Sequence, residues 1–166
     1  MKKQKGFSLI ELLIVVAIIL IIAAIAIPNL IKSKMAANEA GAGGTVRTIN
    51  TGEATYSSVC SQVGYSLNLA ALNSGGGCPS GVGIIDVVLG SGTKSGYVYA
   101  ETGAASAGVV NDSYSVTATP SVIGTTGYRQ FCSSQTNVIY FDPAGAACKW
   151  DTVAAGVVTP GGPNVM

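Results

Sequence analysis

The chain has no histidine among its 166 residues. That removes the commonest general base, the commonest metal ligand and any c-type haem attachment motif. Charge is scarce too: Asp, Glu, Lys and Arg make up 10% of the residues, where about 25% is usual. Serine and threonine are plentiful, but no imidazole exists to activate them, and Asp86, Asp112, Asp142 and Asp151 are scattered along the chain. None of the four cysteines forms a C-x-x-C pair, which argues against a zinc site. Aromatic residues are nearly missing from the N-terminal third, where only Phe7 and Tyr56 occur, so a stacked aromatic path for electrons has no support. The stretch from Gly90 to Ser95 fails as a phosphate-binding loop, because Val88 and Thr93 stand where that motif needs glycine; it reads as a turn. These absences make an enzyme the least favoured class.

The most unusual feature lies at the start. Lys2, Lys3 and Lys5 precede Gly6-Phe7-Ser8-Leu9-Ile10-Glu11, and every residue from Leu12 to Ile27 is apolar. Leu30 and Ile31 extend the run past Pro28 and Asn29. About 20 such residues cross a bilayer core at ~1.5 Å per residue. The lysines mark the cytoplasmic side, so the remainder of the chain is expected outside the inner membrane. An ordinary secretory signal fits less well. Its apolar core is about 7–15 residues, and Ala23-Ala24-Ile25-Ala26 is a poor cleavage site. An uncleaved anchor is the stronger alternative, and Glu11 speaks against it. A carboxylate near the middle of a membrane segment costs on the order of 2.5–3.5 kcal/mol, so it normally has a partner. A cut after Gly6 would give Phe7 a free amine four residues from Glu11, on one helical face. Glu11 would then sit in the first helical turn, where the dipole favours an acid.

These residues resemble the class III signal peptide shared by type IV pilins and by the pseudopilins of type II secretion. The resemblance is dense over about the first thirty residues. It implies cleavage after Gly6 by a prepilin peptidase, methylation of the Phe7 amine, and a meeting of Glu11 with the N-terminal amine of a neighbouring subunit during assembly. It also implies an α+β pilin fold, with a long N-terminal helix packed on a small antiparallel sheet. The expected layout is a leader over 1–6, a transmembrane and assembly helix over 7–31, an amphipathic half over 32–60, and an extracytoplasmic globular domain over 61–166.

The residues beyond the anchor agree with that order. Pro28 lacks an N–H and is expected to kink the helix. Met35, Ala42, Val46, Ile49, Tyr56 and Cys60 then recur at spacings of three, four or seven, the stripe of an amphipathic helix. Lys32, Lys34, Asn38, Glu39 and Arg47 would form its exposed face, and Gly41, Gly43 and Gly44 mark a weak point or a close contact. From Ser61 to Ser95 the chain is rich in Gly, Ser and Asn, and Leu67, Leu69 and Leu72 predict one short helix. Four aromatic or β-branched runs follow, at 97–101, 114–119, 128–132 and 137–142, with Tyr114, Val116 and Ala118 on one strand face. A long helix followed by strands is an α+β pattern. The pattern from Gly96-Tyr97 through Val138-Ile139-Tyr140-Phe141-Asp142 is similar to the sheets of some bacterial pilin-like proteins. The last twenty residues read as an irregular tail.

The precursor side chains sum to +1; losing Lys2, Lys3 and Lys5 leaves six basic against eight acidic groups, or −2. Nothing in that balance calls for nucleic acid. Four cysteines in an exported domain are expected as disulfides, with three possible pairings. Cys60–Cys78 and Cys132–Cys148 are favoured because each closes a local loop, worth about 3 kcal/mol in the chain-entropy model. No cofactor is expected. Major pseudopilins bind calcium near their C-terminus, and Asp142 and Asp151 are the acids such a site would use here. Asn111-Asp112-Ser113 matches the N-x-S pattern, but as weak evidence for a glycan.

The reading that follows is a type IV pilus subunit. It would polymerise with copies of itself through its N-terminal helix and serve adhesion, motility or DNA uptake. Its partners would be the prepilin peptidase, the inner-membrane assembly platform and, before assembly, membrane lipid. It would lie in the inner membrane with its globular domain in the periplasm, and afterwards in the extracellular pilus. A pseudopilin of type II secretion and a membrane-anchored binding protein that never polymerises are the alternatives.

Overall fold

The computed structural model describes residues 6–76, 78, 83–105, 110–143, 150–151 and 159–160, the last two pairs for backbone only. They group into two units, one ending at Lys34 and one beginning at Met35.

Helix α1 runs unbroken over Leu9–Val59, with Pro28 inside it. In the first unit the helix is apolar on every side. All its large apolar residues from Leu9 to Ile31 are at least 46% exposed. In the second unit it carries a single buried stripe. Met35, Ala42, Val46, Ile49, Tyr56 and Cys60 are all buried, as the spacing predicts. The helix also continues through Gly41, Gly43 and Gly44; Gly41 and Gly44 face open space, while Gly43 is buried.

After α1 come two short helices, α2 (Leu69–Ser74) and α3 (Val87–Gly90). The sequence predicts only the first. Each begins at a side-chain cap that accepts an orphan amide. Ala71 N–H donates to Asn68 Oδ1 at 2.9 Å, and Leu89 N–H donates to Asp86 Oδ1 at 2.8 Å. Lys94 also donates to Asp86, at 2.8 Å, and together these bonds hold that exposed carboxyl below its ordinary range. Leu67 lies outside α2 and is exposed.

The sheet is an antiparallel meander in the order β1 (Thr93–Lys94), β2 (Tyr97–Ala104), β3 (Ser113–Pro120), β4 (Arg129–Ser134), β5 (Tyr140–Pro143). Ser95 and Gly96 join β1 to β2 with φ of 51° and 76°. Two such residues make the turn whose twist suits a two-residue hairpin, which is what the Gly90–Ser95 stretch leads into. The last strand starts later than the sequence suggests: Asn137 has φ 59°, and the strand begins only at Tyr140. Near the C-terminus, β6 (Trp150–Asp151) pairs with β7 (Thr159–Pro160), where a wholly irregular tail was expected.

The core lies between the α1 stripe and one face of this sheet. Ala42, Val46, Ile49 and Tyr56 cluster with Tyr97, Tyr99, Tyr114, Val116, Ala118 and Phe131, and with Leu72 and Leu89 from the short helices. On β2 burial alternates residue by residue, the period-two signature of a half-buried strand. Cys60, just past α1, is bridged to Cys78. Cys132 on β4 is also in a disulfide; its expected partner, Cys148, lies outside the described residues.

Two residues assigned to the exposed face of α1 do structural work instead. Asn38 Nδ2 donates to Thr126 O at 2.9 Å, and Glu39 Oε1 accepts the backbone N–H of Tyr128 at 2.8 Å and of Arg129 at 3.2 Å. Both side chains are half-buried against the β3–β4 loop. A carboxylate from the helix thus takes up the backbone amides where β4 begins. The Arg129 guanidinium, 3.7 Å from Glu39 and 5.0 Å above the Phe141 ring, completes the clasp. Glu39→Ala should lower the unfolding free energy by about 1.5–3 kcal/mol, read from denaturant unfolding. Glu39→Gln, which keeps one acceptor and loses the charge, should fall between the two.

Candidate functional site: the N-terminal assembly segment

The sequence places its candidate chemistry at Gly6, Phe7 and Glu11, and the structure sets all three at the start of α1. Gly6, Phe7 and Ser8 precede the helix in non-helical conformation. A Cβ at Gly6 would meet nothing within 4 Å, so the bond that follows it is sterically open. Phe7 is 77% exposed. Ser8 O accepts the first amides of the helix, from Glu11 at 3.1 Å and Leu12 at 3.2 Å. Glu11 therefore occupies the first turn, beside backbone N–H groups that lack helical partners. The side chain itself is exposed.

Beyond Glu11 the surface has one chemical character. Leu12, Leu13, Ile14, Val15 and Val16 are exposed, and so are Ile18 through Ile22. The only hydroxyl in the following stretch to Lys34 is that of Ser33, which donates to the carbonyl of Asn29 at 3.0 Å. A helix this long and apolar can cross a membrane. Water is a poor solvent for it, and Glu11 is the single charge on its first five turns.

The other chemistry-bearing residues do not gather. Among the described residues no three of His, Cys, Asp and Glu come together as a metal site. Asp142 stands on β5 opposite Gln130. Asp151 is on β6, and its side chain lies outside the described residues. Asn111 is buried, and its side-chain amide donates to Tyr65 O at 2.9 Å, which makes it a poor glycan acceptor. One open groove, lined by Arg47, Thr48, Thr51, Gly52, Thr55 and Ile84, has a volume of about 330 Å³. The Thr48, Thr51 and Thr55 hydroxyls each donate to the α1 carbonyl four residues back, at 2.9–3.2 Å, so they are not aimed into it.

Residues 1–27 match the family model described as the prokaryotic N-terminal methylation motif. The chain carries that motif and is similar to type IV pilins over part of its length. It is 44% identical over 77 residues to the type IV wide pilus major component PilA4 of Thermus thermophilus, covering 45% of this chain and 55% of that protein. It is 38% identical over 71 residues to the type IV major pilin protein PilA of Myxococcus xanthus, covering 39% of this chain and 32% of that protein. The matches thus span about half or less of these relatives. No solved structure matches the chain.

Sequence reasoning singled out the N-terminal segment but not a second group of acids, which lies in the globular unit. Glu53 on α1 is fully buried, and Glu101 on β2 is 7% exposed. Their signal was present in the periodicity, since Glu53 continues the stripe between Ile49 and Tyr56 and Glu101 follows Tyr97 and Tyr99 on the inward face.

An open bond after Gly6 leads to an exposed Phe7, and the methylation motif spans both. Mass spectrometry of the membrane-derived protein is expected to find Phe7 as the first residue, with one methyl group on its amine. An intact Met1 terminus, or a start after Ala26, would contradict it.

Proposed function

We propose that this chain is a structural, non-enzymatic subunit of a type IV pilus, processed at Gly6–Phe7 and polymerised through α1. The observation that carries this reading is the exposed apolar surface from Leu9 to Ile31, which holds one acid in its first turn and lies within and beyond a processing motif. An apolar surface of that extent needs a cover. Before assembly lipid can provide it. In a filament the same segments of neighbouring copies can, with Ala17, Ala23, Ala24 and Ala26 allowing close approach. Both named relatives are pilus components, which favours a pilus over a secretion piston. The Cys60–Cys78 bridge supports an oxidising compartment, and hence a periplasmic location for the globular unit before assembly. Prepilin peptidase and an inner-membrane assembly platform are the partners this route requires.

Glu11 supplies the assembly rule. The attraction between its carboxylate and the Phe7 amine of a neighbour grows as the dielectric falls, while each charge alone is costly in lipid. Docking one against the other satisfies both and fixes the step between subunits. Glu11→Val should leave an inserted, cleaved protein that fails to polymerise. An unpaired amine in an apolar surround costs on the order of 2.5–3.5 kcal/mol, which is about a hundredfold in an assembly constant. The measurement compares filaments sheared from cells with subunit retained in the membrane. Normal filament yield from the variant would remove Glu11 from this role.

A further inference from the structure

The second unit buries two carboxyl groups close to each other, with no cationic side chain paired to either among the described residues. Glu53 comes from the penultimate turns of α1 and Glu101 from the inward face of β2. Ser66, in the segment after α1, joins them and is itself fully buried. Its N–H donates to Glu53 Oε2 at 2.9 Å and its hydroxyl to Glu53 Oε1 at 2.6 Å, while the same hydroxyl oxygen is 3.1 Å from Glu101 Oε1. Among the described residues, the ion pairs are Lys94 with Asp86 and Arg129 with Glu39, so neither buried glutamate has a basic partner. Among the described residues the other titratable groups acting on the pair are tyrosines: Tyr56 on α1 and Tyr114 on β3, with the Tyr65 ring tilted against Tyr114 at 4.8 Å between centroids.

Two buried carboxylates in this setting cannot both stay ionised. The hydrogen bonds assign the roles. Both oxygens of Glu53 accept a donor, which suits a carboxylate. Glu101 Oε2 is buried without a hydrogen-bond partner, a setting far more costly for a charged carboxylate oxygen than for a neutral carboxyl. We infer that Glu53 and Glu101 share a single proton in the folded subunit, and that this proton latches the end of α1 and the Ser66 segment to the sheet. The arrangement is that of an acid–carboxylate pair, whose one proton removes a like-charge repulsion. Burial, followed by the hydrogen bond and charge of Glu53, pushes the Glu101 carboxyl up to about 10.

The direction of the pH effect follows. A raised acid holds its proton in the folded state where the unfolded chain has lost it. Stability from this group is complete below the ordinary carboxyl value of 4.5 and declines as pH rises toward about 10. Across that window the folding equilibrium constant should fall about tenfold per pH unit. The chain has no histidine, so apart from the α-amino group no other ordinary side chain titrates between about pH 6 and 8 to confuse the slope.

The experiment uses the full processed chain in non-ionic detergent, with thermal unfolding followed by near-ultraviolet circular dichroism from pH 5 to 9. The wild type should lose melting temperature steadily as pH rises. Glu101→Gln, neutral at every pH and still a donor toward Glu53, should give a nearly flat profile and exceed the wild type at pH 8. A flat wild-type profile, or equal slopes in both proteins, would overturn the shared proton. Infrared spectra of the wild type at pH 8 supply an independent reading should the variant not fold. A protonated-carboxyl band is expected, and its absence would count against the latch. Calcium that raises the melting temperature of the wild type at pH 8, but not of Glu101→Gln, would show that the pair holds a cation instead.

Discussion

The solvation of α1 is the constraint on which the rest depends. One 51-residue helix carries two apolar patterns that no single environment satisfies. Up to Ile31 the apolar residues surround the helix, and nothing among the described residues covers them. From Met35 they narrow to a stripe that one sheet face is wide enough to bury. The change of pattern coincides with the division of the chain into two units at Lys34. A helix as apolar as the first part is stable only in lipid or among like helices, whereas the second part needs a water-facing side. The same backbone element therefore belongs to two solvents, and the globular unit satisfies only the second.

Much of this was legible in the sequence, because both apolar patterns are periodic. The stripe from Met35 to Cys60 and the inward face of Tyr114, Val116 and Ala118 follow from periods of 3.6 and 2, and every one of those residues is buried. What periodicity does not carry was lost. Asn38 and Glu39 are polar and therefore read as solvent-facing, yet they satisfy backbone groups that come from about ninety residues away in the chain. Helix α3 depends on one capping aspartate and too few residues for a pattern. The strand expected from Asn137 starts late, since a positive φ there breaks the run. The N-terminal residues stand out in the sequence because they are contiguous; Glu53 and Glu101, forty-eight positions apart, become a pair only when helix and strand meet.

The helix–sheet interface is unusually polar for a unit so poor in charge. Asn50 Nδ2 donates to Ser133 Oγ at 2.6 Å, Ser133 Oγ donates to Val138 O at 3.0 Å, and the Tyr114 hydroxyl is 3.2 Å from Asn50 Oδ1. One turn further along α1 the Glu53–Ser66–Glu101 seam begins. A purely apolar stripe on a regular helix can slide against a sheet by a turn at modest cost. Buried polar groups cannot, because each displaced donor or acceptor would lose its partner in a low-dielectric interior. These seams fix the register of α1 on the sheet in a way that Val46 and Ile49 alone do not.

That register matters most if α1 is also the element that packs between subunits. The Glu39 clasp, the Asn50 seam and the Glu53 seam are spaced along the helix at residues 39, 50 and 53, and the disulfide at Cys60 follows its last turn. Each joins the helix to a different part of the globular unit: the β3–β4 loop, the β3–β4 strand pair, the β2 strand with the Ser66 segment, and the loop holding Cys78. A load applied along α1 is therefore shared by four attachments of different chemistry. Three of them are hydrogen-bonded and reversible, and the fourth is covalent. Apolar contact alone would resist such a load only through loss of buried area, which is gradual; directional bonds and a covalent bridge resist displacement from the first ångström. A subunit held in a filament by its helix, as proposed above, would need the second kind of resistance, and the polar residues of this interface are of the kind that supplies it.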